Sequence, residues 1–73
     1  MARKQKSYHN KVREIRESQL LSKAELARKA GVSPITVDRV ENGLECRLET
    51  KRKLILALGY DISEHKNIFS DET

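Results

Sequence analysis

The stretch from Ser22 to Gly31 constrains the fold most, because it holds both the start signal and the stop signal of one short helix. Ser22 is followed three positions later by Glu25, which is the spacing of a capping box at a helix N-terminus. Gly31 suits the left-handed residue that often ends a helix. The pattern predicts a helix from Lys23 to about Ala30. Its inward face consists of Leu26, Ala27 and Ala30.

A second short helix follows almost at once. Ser33 is a preferred N-cap residue, and Pro34 suits the first helical position because its missing N–H is not needed there. Gly43 supplies the stop signal, so the helix is predicted to end at about Glu41 or Asn42. Its inward residues are Val37 and Val40.

Two helices joined by a tight turn at residues 31–33 form a helix-turn-helix. The small side chain of Ala27 allows the second helix to pack closely against the first. The outer face of the second helix then stands clear of the body, and it can enter a DNA major groove about 12 Å wide.

The flanking segments also have helical spacing. We predict one helix from Tyr8 to about Gln19, capped by Ser7 or Asn10. Its apolar residues are Tyr8, Val12 and Ile15.

After a loop over residues 44–49, which holds Cys46, a further helix is predicted from Thr50 to Leu58. Its inward residues are Leu54, Ile55 and Leu58. A last short helix, capped by Asp61 or Ser63, carries Ile68 and Phe69.

The expected fold class is therefore all-α, a compact domain of four to five helices. We place a flexible basic arm at residues 1–7, the folded domain at residues 8–69 and a frayed tail at residues 70–73.

Composition limits what such a domain does. The 73 residues suffice for one small domain, and no apolar run reaches the roughly 18 residues of a membrane span. One cysteine excludes an internal disulfide and fits a reducing cytoplasm. The net charge of +4 suggests a polyanionic partner, although composition alone leaves a merely basic surface equally open.

The residues from Ser22 to Ser33, followed by Val37, Arg39, Val40 and residues 41–43, resemble the phage repressor/Cro-type (XRE-like) helix-turn-helix DNA-binding family. The fourth-helix residues Thr50, Lys53, Leu54, Ala57, Leu58 and Gly59 are similar as well. The resemblance covers about residues 12–60. It implies a repressor-like domain and sequence-specific binding of double-stranded DNA by a small transcriptional regulator, of the repressor kind.

The resemblance also implies which residues contact DNA bases. They are Ser33, Ile35, Thr36 and Arg39. Arg39 suits bidentate reading of guanine O6 and N7, with a phosphate contact or an intrahelical pair with Asp38 as the alternatives. Ile35 either touches a thymine methyl group or enters the core. Pro34 departs from the amide side chains common at its position and cannot read an adenine edge.

Two more sets of residues follow from the resemblance. The expected phosphate contacts are Lys23, Asn42 and Arg47. Arg16 and Glu41 match a pair that joins the first helix to the third, so we expect a partly buried structural ion pair there. Glu49 and Lys51 depart from the residues usual at their positions.

Other classes of function are weighed against this one. An enzyme is not expected, since His9, His65 and Cys46 are isolated and neither a metal-ligand spacing nor a phosphate-binding loop is present, so no cofactor is predicted. An antitoxin-type or protein-interaction module would use the same fold with a protein partner. Its exposed apolar surface would draw on Leu56, Ile68 and Phe69, each of which could instead close the core.

The resemblance also bears on oligomeric state, because relatives often dimerise through the region after the fourth helix. We therefore expect a weak or DNA-dependent homodimer whose recognition helices lie about 34 Å apart, one turn of DNA.

Overall fold

The structure is a computed structural model that describes residues 10–69. Its helices are α1 (Val12–Ser18), α2 (Lys23–Ala30), α3 (Pro34–Glu41), α4 (Leu48–Ala57) and α5 (His65–Ile68), with a 3₁₀ turn at Ile62–Glu64 before α5. No β-strand is present within residues 10–69, so the all-α prediction is confirmed. The basic arm predicted at residues 1–7, Tyr8, His9 and the tail predicted at residues 70–73 lie outside the described residues.

The helix-turn-helix has the bounds that its capping residues predict. The Ser22 hydroxyl accepts a hydrogen bond from the Glu25 N–H at 3.0 Å, and the Ser22 N–H donates to the Glu25 carboxylate at 2.8 Å. The hydrogen bond from the Ser22 N–H, followed by that from the Ser22 side chain, holds the pKa of the Glu25 carboxyl group below its ordinary value. Gly31 has a φ of 74°, the left-handed conformation that glycine adopts without a steric penalty.

The start of α3 follows the same logic. The Ser33 hydroxyl accepts from the Thr36 N–H at 3.2 Å, and Pro34 occupies the first turn. The helix ends at Glu41, with Asn42 as its C-cap residue. The turn between α2 and α3 is therefore set by short-range hydrogen bonds, and for that reason the sequence pattern predicts it.

The predicted start of α1 at Tyr8 is wrong for Asn10 and Lys11, which are not helical. Asn10 forms an isolated antiparallel bridge with Phe69, and its side-chain amide donates to the Val40 carbonyl oxygen at 2.8 Å. The Lys11 N–H donates to the Ile68 carbonyl oxygen at 2.9 Å. Pairing with the C-terminal segment therefore keeps this backbone out of the helix, and α1 begins only at Val12.

The predicted loop over residues 44–49 is too long, because α4 begins at Leu48 rather than Thr50. The Lys51 N–H donates to the Arg47 carbonyl oxygen at 3.1 Å, which adds a helical turn before Thr50. No proline or glycine lies between Arg47 and Thr50 to prevent that turn. Neither predicted cap, Asp61 or Ser63, is the N-cap residue of α5, which is Glu64. Asp61 instead is the N-cap residue of the preceding 3₁₀ turn, and its N–H donates to the Glu64 carboxylate at 3.0 Å.

The core lies between α2 and the helices packed on it, α3 and α4. Its buried members are Val12, Leu26, Ala27, Ala30, Val37, Val40, Leu54, Ile55, Leu58, Ile68 and Phe69. Ile68 and Phe69 thus close the core, and the hypothesis that they form an exposed apolar surface is wrong, while Leu56 is exposed. None of the helices within residues 10–69 is long and apolar enough to cross a membrane.

Candidate nucleic-acid interface

The outer face of α3 is open to solvent because the opposite face anchors the helix. Val37 and Val40 are fully buried against the rest of the core. Ser33, Ile35 and Arg39 are exposed on the other side. Such a helix presents side chains while its own position is fixed, which is what groove reading requires.

Ile35 remains outside the core, with 69% of its surface exposed. Of the two alternatives for this residue, entry into the core is therefore not realised. Contact with an apolar group of a partner would remove this exposed apolar side chain from water, which is favourable in free energy.

The Arg39 side chain has no hydrogen-bond or ion-pair partner among residues 10–69. The intrahelical pair with Asp38 is not formed, since Asp38 is engaged elsewhere by Lys23 and Asn42. All the guanidinium donors of Arg39 are thus available for a ligand.

The hydroxyl groups of Ser33 and Thr36 lie 3.1 Å apart and share one hydrogen bond. Two hydroxyl groups carry two hydrogens, and this bond uses one of them. One O–H donor therefore remains without a partner among residues 10–69 at the first turn of α3. Thr36 is half-buried and Ser33 is exposed, so the donor lies at the edge of the outer face.

Lys23, at the first position of α2, forms an ion pair with Asp38 of α3. The Lys23 ammonium lies 2.5 Å from one Asp38 carboxylate oxygen, and the Asn42 amide donates to the other at 3.4 Å. The hydrogen bond from Lys23, followed by its positive charge, holds the pKa of Asp38 below its ordinary value. Two of the three expected phosphate contacts thus converge on one carboxylate.

Arg47, the third expected phosphate contact, is the exposed N-cap residue of α4 and makes no side-chain capping bond. The N-terminus of a helix carries a partial positive charge from its unsatisfied N–H groups. Arg47 therefore adds a full charge to an end of α4 that already favours anions.

Arg16 and Glu41 form a bidentate ion pair between α1 and the C-terminal end of α3. The Arg16 Nε and Nη2 donate to the two Glu41 carboxylate oxygens at 2.7 and 3.1 Å, and Nη1 donates to the Leu21 carbonyl oxygen at 2.8 Å. Only 9% of the Arg16 side chain and 3% of the Glu41 side chain are exposed. The hydrogen bond to Glu41 raises the pKa of Arg16, so the guanidinium stays charged.

Sequence reasoning missed the position of Asp38, which it considered only as a partner of Arg39. Lys23 and Asp38 are 15 residues apart and lie on different helices, so no local spacing signals the pair. It also missed the Asn10 amide, which satisfies a carbonyl oxygen of α3.

Within the described part of the chain, no group of three or more His, Cys, Asp and Glu side chains is arranged to hold a metal ion. Cys46 is half-buried near the start of α4, and burial raises the pKa of its thiol. The ordinary thiol form is therefore favoured there.

A protein-family model described as helix-turn-helix matches residues 12–65, which is most of the chain. The match runs from the first residue of α1 to the first residue of α5. No curated protein matches the chain.

Proposed function

The chain belongs to the helix-turn-helix family of DNA-binding regulators whose model it matches, and on this premise we propose that it is a sequence-specific repressor of transcription. The observation that carries the proposal is the outer face of α3, where Ile35 and Arg39 are exposed without partners among residues 10–69. The helix itself is held by Val37 and Val40 in the core. Occupation of a promoter by a domain of this kind would exclude other proteins from it.

The base contacts in this proposal follow from the chemistry of each side chain. Arg39 donates two parallel hydrogen bonds to guanine O6 and N7, a contact worth about 1–3 kcal/mol of discrimination. Ile35 packs on a thymine methyl group. The remaining O–H of Ser33 and Thr36 donates to a base acceptor at the first turn of α3.

Phosphate contacts fix the register of the domain on the duplex. Lys23, Asn42 and Arg47 take this role, with Lys23 at the N-terminus of α2 and Arg47 at that of α4. Arg16 and Glu41 hold α3 against α1 and make no contact with DNA. Each phosphate that a lysine or arginine neutralises steepens the fall of affinity with salt.

We further propose that the active species is a weak or DNA-dependent homodimer. One α3 helix reads only a few base pairs, whereas two helices about 34 Å apart read both halves of a near-palindromic site. Sedimentation with and without a specific duplex measures this directly. A monomer under both conditions would contradict the dimer but leave the mode of DNA reading intact.

The experiment that tests the proposed function is selection of bound sequences from a random duplex pool. We expect one enriched motif that contains guanine, and an affinity for it that falls steeply between low and high salt. Failure to enrich any motif, or binding that salt leaves unchanged, would contradict the proposal.

A protein partner is the second candidate, because α4 and α5 leave an open groove of about 320 Å³ between them. Its floor contains Ile55 and Phe69, and Leu48 at its edge is 76% exposed. Lys51 and Arg52 line the same groove, so the occupant favoured by charge is an acidic segment with apolar side chains. A symmetric contact of two copies through this groove would bring like charges together.

The test of this second candidate is capture of a protein partner with and without nuclease. Leu48→Ser should abolish a nuclease-resistant capture, whereas Leu56→Ser, which changes an exposed leucine that does not line the groove, should retain it. Equal capture by both variants would exclude the groove as the docking site.

Catalysis and a cofactor form no part of the proposed function, and the lone half-buried thiol of Cys46 supports the cytoplasm as the compartment.

A further inference from the structure

Asp38 lies beside the outer face of α3 and engages two residues from which a DNA-binding role is proposed. One of its carboxylate oxygens accepts from the Lys23 ammonium at 2.5 Å, and the other accepts from the Asn42 amide at 3.4 Å. Lys23 belongs to the first turn of α2, and Asn42 is the C-cap residue of α3. A single anionic group thus bridges both ends of the recognition unit.

A carboxylate and a DNA phosphate offer these donors the same chemistry, namely anionic oxygens that accept charge-assisted hydrogen bonds. We propose that Asp38 occupies, in the free protein, the place that a DNA phosphate takes at Lys23 and Asn42. Asp38 thereby lowers the affinity of the domain for polyanions. This inference rests on the proposed DNA-binding function and adds a residue that sets the strength of phosphate contact.

The exposure of the pair makes such an exchange feasible. The side chains of Lys23 and Asp38 are 43% and 49% exposed, so water already screens their attraction. The other ion pair of α3, between Arg16 and Glu41, is almost fully buried and cannot be opened without stranding a charge. The two pairs therefore differ in kind, since one fixes the helix and the other is open to displacement by a competing anion.

The charge balance of α3 supports the same role. Asp38 and Glu41 are the acidic residues of α3, and Glu41 is neutralised inside the core by Arg16. Asp38 is thus the acidic charge of α3 that an approaching phosphate meets. If the Lys23–Asp38 pair stays intact in the complex with DNA, Lys23 contributes little to neutralising a phosphate. If a phosphate replaces Asp38 as the partner of Lys23, the Asp38 carboxylate is left close to the negative charge of that phosphate.

The test replaces the carboxylate by an amide of the same shape, Asp38→Asn. The matched control is Glu14→Gln, which removes one acidic charge from the exposed surface of α1, where Glu14 forms no ion pair with another of the described residues 10–69. The dissociation constant is measured on the selected duplex and on a random duplex over a range of salt. Elution salt from heparin, a polyanion without base sequence, is measured in parallel.

We expect Asp38→Asn to bind both duplexes about threefold to tenfold more tightly at low salt, with the logarithmic salt slope steeper by up to about 0.9, the contribution of one neutralised phosphate. It should elute from heparin later than Glu14→Gln, whose affinity changes by less than about twofold, as a surface charge distant from bound phosphates is screened. The gain in affinity depends on Lys23 being released to contact a phosphate. It should therefore largely vanish when Asp38→Asn is combined with Lys23→Gln. Thermal unfolding of each variant establishes that the fold is retained.

Weaker binding by Asp38→Asn would overturn the inference, because it would mean that Asp38 orients Lys23 and Asn42 for phosphate rather than competing with it. An equal gain with Lys23→Gln present would overturn it too, because general repulsion would then suffice. The parent proposal fails separately. If the wild-type protein binds no duplex sequence while Asp38→Asn still elutes later from heparin, the DNA-binding function is refuted and the competition at Lys23 stands.

Discussion

The buried pair of Arg16 and Glu41 allows a large and specific effect on stability to be predicted. Replacing Arg16 by Met leaves the Glu41 carboxylate, which is 3% exposed, without its bidentate partner. Removing one member of a buried pair costs about 3–5 kcal/mol, because the remaining charge stays desolvated. A chain of 73 residues has a free energy of unfolding of about 4–11 kcal/mol at the usual 0.05–0.15 kcal/mol per residue. Arg16→Met should therefore remove a large part of the stability of the domain.

Urea unfolding followed by circular dichroism measures this effect. With a slope near 1 kcal/mol per molar urea, typical of a small domain, the midpoint should fall by about 3 M or more. Glu41→Met should be similarly destabilised. The double variant should be more stable than the sum of the two single losses implies, by about 2 kcal/mol or more, because it leaves no stranded charge.

The exposed pair of Arg13 and Glu17 supplies a control on the same helix. These side chains are 66% and 58% exposed and lie 3.3 Å apart, so their coupling should be under about 0.5 kcal/mol. If the two pairs show equal coupling, or if the effects of Arg16→Met and Glu41→Met simply add, the argument from burial is refuted.

Three further predictions concern local structure and pH. Leu20 has a φ of 57°, and its side chain is 89% exposed. Leu20→Gly should therefore relieve the left-handed strain with little loss of buried surface, and raise the free energy of unfolding by up to about 1 kcal/mol. Urea titration measures this, and a lower midpoint for the variant would contradict it. Ser22→Ala should destabilise the protein by about 1 kcal/mol through loss of the α2 cap, and an unchanged melting temperature would argue against the capping account. Because the pKa values of Glu25 and Asp38 are lowered by folding, their contribution is present above the unfolded values of 4.5 and 3.8 and is lost as the pH falls through the lower folded values. The melting temperature should therefore drop on acidification in this range. The drop should be smaller for the Glu25→Gln variant, which keeps a capping side chain but cannot titrate. Equal drops for the variant and the wild type would contradict the contribution assigned to Glu25.

The helix-turn-helix was predictable because its information is local. Ser22, Glu25 and Gly31 set the bounds of α2 through contacts between near neighbours in sequence, and Ser33 with Pro34 sets the start of α3. Capping depends on the residue types within one helical turn, so a sequence pattern carries it directly.

The errors occur where distant parts of the chain decide the backbone. Asn10 is not helical because it pairs with Phe69, 59 residues later, and the local apolar spacing of α1 contains no sign of this contact. The start of α4 at Leu48 is a local error of a different kind. Arg47 makes no side-chain capping bond, so no capping pattern in the sequence marks this helix start. The contact of Lys23 with Asp38 likewise depends on how α2 crosses α3, which the turn allows but the spacing does not specify.

The base-contact residues form an intermediate case. The helical spacing of the buried residues Val37 and Val40 is enough to place Arg39 on the outer face of α3. The structure leaves the Arg39 guanidinium without a partner among residues 10–69. The alternatives for Ile35 could be separated only by the packed structure, because an isoleucine at that spacing fits either a core or an outer face. Its 69% exposure excludes the core, while its contact with a thymine stays a prediction.

The central claim is that α3 reads base sequence through its outer face, and the specificity ratio of an Arg39→Ala variant tests it most directly. This ratio is the dissociation constant on a random duplex divided by that on the selected duplex, measured at one fixed salt concentration. The matched control is Arg28→Ala, which removes the same charge from an exposed position on α2. We predict that Arg39→Ala lowers the ratio by about 5-fold to 150-fold, equivalent to about 1–3 kcal/mol, while Arg28→Ala leaves it unchanged within about twofold. Equal ratios for the two variants, or a wild-type ratio of one, would contradict the account.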